Sequence, residues 1–345
     1  MSSLDVAEVT TAAALEALAP EWTALWQRSP TATPFQSPAW LLPWWKHFGR
    51  GKLLTITVRY AGALVGLLPL YIFEEPDGRK LLPVGIGISD YLDGVFDEAV
   101  ADGAATAALA HLAPTADRWD VCDLHQLPPA SPLLTAAAPE GLRDEIGPGE
   151  PCPVVKLPDS VEELPRRLPR RMAANLRLYR RRAEKSGRVR FERARAETHP
   201  TLLDDLLELH GARWGERGLP GVLADEAVRR FHQDAAPALL ALGILRLYVL
   251  RLDERPIASC YGFISKGRAC AYLKGFDPAY ARLSPGTLVL GHVLEEAIRE
   301  GAAECDYLRG REPYKQHWGP EDRPTYHRKL WREAAVPGTF TGRWG

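Results

Sequence analysis

The chain has almost no net charge, no long apolar run and few cysteines, and each shortage narrows what it does. Its 43 Lys and Arg balance 44 Asp and Glu for a formal charge of −1. No global field therefore recruits nucleic acid or an anionic membrane, and such a role would need a local patch. The first ten residues carry no positive charge ahead of an apolar stretch, so no secretory signal is expected there, and the default location is cytoplasmic. The longest apolar window, Ala63–Phe73, is about half of what a bilayer crossing needs, so no membrane insertion is expected. The five cysteines, at 122, 152, 260, 270 and 305, show no C-x-x-C spacing. They read as free, mostly buried thiols, with no disulfide framework, no metal site and no histidine obviously paired with one for nucleophilic work.

What is present is a chain of 345 residues, 46% hydrophobic and 25% charged, with enough apolar material for two cored domains. It is organised around Arg268–Trp318. A β-type run over Ala269–Phe276 enters a loop holding Pro278, Ser284, Pro285 and Gly286. A helix follows from near Thr287, with Leu290, Leu294, Ala297 and Ile298 on one stripe and Gly301 as its stop. A second strand is expected at Glu304–Leu308. Strand, loop, helix and strand form a crossover unit whose loop presents free N–H groups and a helix N-terminus, as anion sites do. Arg282 supplies charge, Ser284 and Thr287 supply hydroxyls, and Gly286 permits close backbone approach. An ordinary Pro-Gly loop is the plain alternative.

Elsewhere the signals are helical over Thr11–Gln27, broken at Pro20, and again after Ser37-Pro38, ending at Gly49 with a kink at Pro43. Leu54–Phe73 reads as a hairpin turning at Ala61-Gly62. It matches Leu245–Ile264 in form, and Trp119–Leu124 echoes Ala303–Leu308. The two offsets, about 190 and 180 residues, suggest two similar α/β units in tandem. Prolines crowd 128–160, the best linker candidate, which gives domains of 1–150 and 151–345. From Arg166 to Arg195 thirteen basic residues face only Glu184 and Glu192, as a solvated face or as a contact for coenzyme A phosphates or a tRNA acceptor stem. The loop Ala212–Leu223 is rich in Gly and Arg and is expected near an acceptor, and a tail strand is expected at Thr325–Trp331.

The stretch FDPAYARLSPGTLVLGHVLEEAIREG with CDYLRGREPYKQHWG resembles the acyl-CoA-dependent N-acyltransferases of the GNAT superfamily. More narrowly it resembles the group annotated around cellulose and exopolysaccharide biosynthesis, akin to the aminoacyl transferases that build peptidoglycan bridges. The resemblance implies two tandem GNAT-like domains, each a mixed, splayed sheet flanked by helices, with acetyl-CoA or another acyl-CoA as co-substrate in the second and no metal. The first copy would have lost the cofactor, its corresponding loop at Gly85–Ala105 being acidic. The acceptor would be an amine of a small molecule or a glycan or envelope precursor, with tRNA as the alternative partner of an aminoacyl-transferring relative and a non-catalytic binding module as the third reading. Lys274, Gly275, Phe276, Arg282, Leu283, Ser284, Gly286 and Thr287 would hold the cofactor. Tyr314 would protonate the departing thiolate, with Asp306 or Asp90 as base. Tyr91, Asp93, Arg309, Glu312 and Lys315 would meet the acceptor. Salt bridges between Asp306 and Arg309, and between Glu312 and Lys315, are the structural alternative for those residues.

Overall fold

The computed structural model describes residues 3–76, 78–310 and 312–332. The chain divides into two compact units, Met1–Glu150 with Pro324–Gly345, and Pro151–Arg323. The expected second domain of 151–345 thus gives up its C-terminal strand. Tyr326–Arg332 pairs antiparallel with Val121–Leu127 and with Leu142–Pro148, both in the first unit.

In the first unit the helical signals fall where the sequence puts them. Pro20 starts the second of two short helices, Ala12–Ala17 and Ala19–Arg28. Pro38 starts another helix, Pro38–Phe48, with Gly49 as its C-cap. The expected hairpin differs in one respect. Its second arm is broken at Pro69 into Ala63–Leu68, in a four-stranded sheet, and Leu70–Glu75, in a six-stranded mixed sheet. Proline has no N–H for a ladder, so the chain changes sheet there. The proline-rich stretch expected as a linker is instead ordered, with strands at Leu142–Pro148 and Cys152–Lys156. The former is an edge strand, where a missing donor costs little.

The second unit is one seven-stranded mixed sheet. Its elements, in chain order, are β1 (Cys152–Lys156), α1 (Arg170–Ser186), β2 (Val189–Arg193), α2 (His199–Gly215), α3 (Glu226–Ala241), β3 (Leu245–Leu252), β4 (Arg255–Ser265), β5 (Arg268–Phe276), α4 (Pro285–Arg299), β6 (Glu304–Asp306), α5 (Pro313–Gln316) and β7 (Glu321–Arg323). The strand order is β2-β3-β4-β5-β6-β1-β7, and β5–β6 is its parallel pair. Helices α1 and α4 pack together, and Leu176, Leu290, Leu294 and Ile298 share a core with Tyr248, Ala258 and Ala271 of the strands. Helix α2 packs on β3, β4 and β5. Because strand side chains alternate, Gly275 faces α2 while Lys274 and Phe276 point to the opposite side.

Helix α4 begins two residues before Thr287, with Pro285 in its first turn, where a missing N–H is harmless. It ends as expected. Gly301 at φ 77° closes the turn, with the Ala302 N–H donating to the Ala297 carbonyl at 2.9 Å. Among the described residues, no helix is long and apolar enough to cross a membrane.

Candidate active site

Strands β5 and β6 begin side by side and then part. Their parallel ladder holds Arg268 opposite Glu304, Ala269 opposite Cys305 and Cys270 opposite Asp306, and stops. β5 runs on to Phe276, paired with β4 alone among the described strands. Its register slips around Tyr272, between the Tyr261–Leu273 and Gly262–Ala271 pairs. Such a bulge bends a strand and increases its twist. β6 meanwhile turns away. Asp306 Oδ1 accepts the Leu308 N–H at 2.7 Å, Leu308 takes a left-handed φ of 59°, and the Tyr307 N–H donates to the Pro153 carbonyl.

A cleft of about 410 Å³ lies where the strands have parted. Lys274 and Phe276 of β5 line it, as do Ser284, Gly286 and Thr287 at the start of α4, and Met172 of α1. Arg213 of α2 and Arg217 just beyond it face the segment after β6, which contributes Glu312, Tyr314, His317 and Trp318. The turn before α4 is held by Asp277 Oδ1, which accepts the Ala279 N–H at 2.9 Å. Ser284 then adopts φ 52°, ψ 52°, and its carbonyl accepts the N–H groups of Thr287 and Leu288 at 2.9 and 3.1 Å. So Thr287 does not offer its amide. The Gly286 N–H meets no acceptor among the described residues and stands at the positive end of a fifteen-residue helix.

Cations dominate the walls. The Lys274 Nζ lies 3.4 Å from the centroid of the Tyr314 ring. Arg213 sits among the rings of Phe276 (5.6 Å), Trp214 (5.9 Å) and Tyr314 (5.9 Å), and its buried Nε finds no partner among the described residues. Burial draws the Lys274 ammonium down to about 7, with Arg213 and Lys315 adding repulsion. Burial pushes the Tyr314 phenol well above its ordinary value, and the Glu312 carboxylate adds to this. Desolvation thus favours the neutral form of both groups.

The residues singled out from sequence therefore scatter. Lys274, Phe276, Ser284, Gly286, Thr287, Glu312 and Tyr314 come together in the cleft. Gly275 faces α2 instead. Arg282 and Leu283 line a neighbouring groove of about 440 Å³ with Arg255 and Tyr280. Lys315 is only 3% exposed, and its ammonium holds the carbonyls of Leu308, Arg309 and Gly310 as well as Glu312. The Glu312–Lys315 salt bridge foreseen as the alternative thus forms, at 2.8 Å. Asp306 is 2% exposed and lies outside the cleft lining, with Oδ1 on Leu308 and Oδ2 3.3 Å from Arg323. Asp90, Tyr91 and Asp93 belong to the first unit, where all three are buried. Asp93 Oδ1 there accepts hydrogen bonds from Ser131 Oγ and the Gly94 N–H. Arg213 was not singled out individually, although it falls in the segment Ala212–Leu223 expected as a loop near the acceptor, whose first four residues belong instead to α2. Among the described residues no three His, Cys, Asp or Glu side chains are grouped to hold a metal ion.

The site is thus a bulged strand parting from a parallel neighbour beside a helix N-terminus. Residues 170–316 match the family model of the acetyltransferase (GNAT) domain. The match runs from α1 to the end of α5 and takes in the cleft lining except His317 and Trp318. No curated protein matches the chain. Among solved structures, the crystal structure of FemX superimposes with a TM-score of 0.66 at 12% identity, covering 94% of this chain and 96% of that one. The C-terminal domain of a putative lysylphosphatidylglycerol synthetase from Agrobacterium fabrum gives 0.59 at 13% identity, covering 93% of each. L-PGS from Bacillus licheniformis gives 0.53 at 11%, covering 85% of this chain and 91% of that one. At these identities the likeness is one of fold.

Proposed function

We propose that the second unit transfers an acyl group, acetyl in the simplest case, from a coenzyme A thioester to an amine. The observation that carries this is the end of the β5–β6 ladder at Cys270 and Asp306, with the cleft and the Gly286 amide at the opening. Beyond that point β5 offers an edge to an extended pantetheine arm. The start of α4 offers Gly286 N–H and the Thr287 hydroxyl to the diphosphate, with Arg282 in the adjoining groove. The thioester then lies beside Lys274 and Tyr314. Amide groups of the open edge stabilise the oxyanion as the amine adds. Tyr314, protonated at neutral pH, gives its proton to the departing thiolate. The acceptor suits a small-molecule amine or a glycan or envelope precursor.

Calorimetric titration with coenzyme A, acetyl-CoA, longer acyl-CoAs and charged tRNA tests the reading. Micromolar acyl-CoA binding, lost when Gly286 is replaced by proline, supports it. No heat with any thioester overturns it.

One feature favours a second reading, transfer of an aminoacyl group from tRNA. Arg170, Arg171, Arg177, Arg181 and Arg182 are exposed along α1 with no carboxylate partner among the described residues, whereas their neighbour Arg180 is held by Glu295 at 2.5 Å. The fold likeness to FemX and to the lysylphosphatidylglycerol synthetase domain is compatible with it. It requires tight binding of charged tRNA with a steep dependence on salt.

A further inference from the structure

An amine that is protonated in water must lose a proton before or as it attacks, and the carboxylates nearest the opening are engaged elsewhere. Asp306 is buried outside the cleft, with one oxygen on a backbone N–H and the other beside Arg323. Glu312, at the rim, is tied to Lys315. What faces the opening instead is Lys274. Its side chain lines the cleft, no carboxylate among the described residues forms an ion pair with it, and its nitrogen rests on the face of the Tyr314 ring. Arg213 from α2, Cys260 from β4, and Glu312, Lys315 and Tyr314 from the segment after β6 surround it.

We propose that Lys274 is the catalytic base of this site, taking the proton of an aliphatic amine acceptor as that amine attacks the thioester. The inference rests on the acyl-transfer reading. The C–N bond forms while the neutral Lys274 amine accepts the N–H proton and becomes an ammonium. The C–S bond then breaks, and the thiolate takes the phenolic proton of Tyr314. The Lys274 ammonium gives its proton back to the phenolate through solvent, so the pair is restored with amide and free thiol as products. The Tyr314 ring favours the lysine while it is charged, as ring faces do for desolvated ammonium groups. A partly desolvated lysine that no described carboxylate bonds is the kind that serves as a base near neutral pH, and Lys274 is drawn down to about 7 by desolvation.

The test uses the wild-type chain. Competitive acetylation with a small anhydride between pH 5.5 and 10.5, read by peptide mass spectrometry, gives the titration of each lysine. Lys274 should label with a midpoint within one unit of 7 and be protected by coenzyme A. Thiol release from acetyl-CoA with a panel of primary alkyl amines should show an acidic limb with the same midpoint. Lys274→Arg, which keeps the charge, should lower the rate about 100-fold and abolish that limb, without changing coenzyme A affinity more than about threefold. A midpoint near 10, labelling unaffected by coenzyme A, or a limb that disappears with His317→Gln in place of Lys274→Arg overturns the inference and leaves the acyl-transfer reading standing. Absence of coenzyme A binding by calorimetry removes both.

Discussion

A Cβ built on Gly275 would stand 2.3 Å from the backbone nitrogen of His210 and 2.5 Å from the carbonyl carbon of Leu209. Helix α2 thus lies directly on β5, at the strand position between the two cleft residues Lys274 and Phe276. Backbone atoms cannot swing aside as a side chain does, so Gly275→Ala must push the helix off the strand. The expected cost is roughly 2 to 3 kcal/mol, at the upper end for overpacking. Gly286→Ala is the contrast. Its Cβ would meet only Phe276 Cδ1 at 3.5 Å, an ordinary contact, and stability should hold to within about 0.5 kcal/mol. Urea unfolding of the two variants decides. Equal midpoints would remove the close approach.

The crossover unit at the heart of the site was legible because its signals are local. Alternation over Ala269–Phe276, the Ser284-Pro285-Gly286 turn, the apolar stripe of α4 and its Gly301 stop each depend on a few neighbouring residues, and the α/β class follows from them. Pairing across the chain was not legible. Nothing in the alternation of Tyr326–Arg332 tells that it joins strands around residues 121 to 148. Pro69 sat unremarked inside the second arm of the expected hairpin, and its two sides enter different sheets. The same limit applies to the cleft. Tyr314 could be singled out from its segment, whereas its partner Lys274 came from another strand, and their contact depends on where β6 turns away. The salt bridge between Glu312 and Lys315 was visible as a pair three residues apart, but the three carbonyls that share the same ammonium were not.

Those carbonyls yield a stability prediction for Lys315. Its Nζ lies 3.2, 2.6 and 3.1 Å from the oxygens of Leu308, Arg309 and Gly310, and 2.8 Å from Glu312. The turn it gathers includes Leu308 and Gly310, both at positive φ. Lys315→Met should lose roughly 2 to 3 kcal/mol, since hydrogen bonds to a charged group vanish and partly buried acceptors go unmet. Glu312→Gln removes only the half-exposed partner and should cost under about 1 kcal/mol. Differential scanning calorimetry of both variants checks this, and a larger loss for the glutamate change would contradict it.

Tyr314 and Arg282 should separate chemistry from binding. Tyr314→Phe keeps the ring under Lys274 and removes only the phenol, so kcat should fall about 100-fold or more with little change in acyl-CoA affinity. Arg282 is exposed beside the groove next to the cleft, and Arg282→Ala should weaken acyl-CoA about threefold to tenfold with kcat retained. Steady-state kinetics paired with calorimetry reads both constants. Equal losses in both constants for both variants would refute this division of labour.

The first unit has its own pH signature in Asp93. Burial lifts this carboxyl to about 7, against the opposing pull of hydrogen bonds from Ser131 Oγ and the Gly94 N–H. In the unfolded chain the same group titrates near its ordinary value of about 3.9. The folded state therefore holds the proton more tightly, and the stability this gives is complete below pH ~4 and lost as pH rises through about 7. At roughly 1.4 kcal/mol per unit over about 3 units, the swing is on the order of 4 kcal/mol. Asp93→Asn keeps an oxygen for both donors and carries no charge, so it should remove this component of the slope. Its unfolding free energy relative to wild type should rise steadily from pH 4 to 7.5 in urea titrations. Parallel curves across that range would mean that Asp93 stays ionised inside the fold.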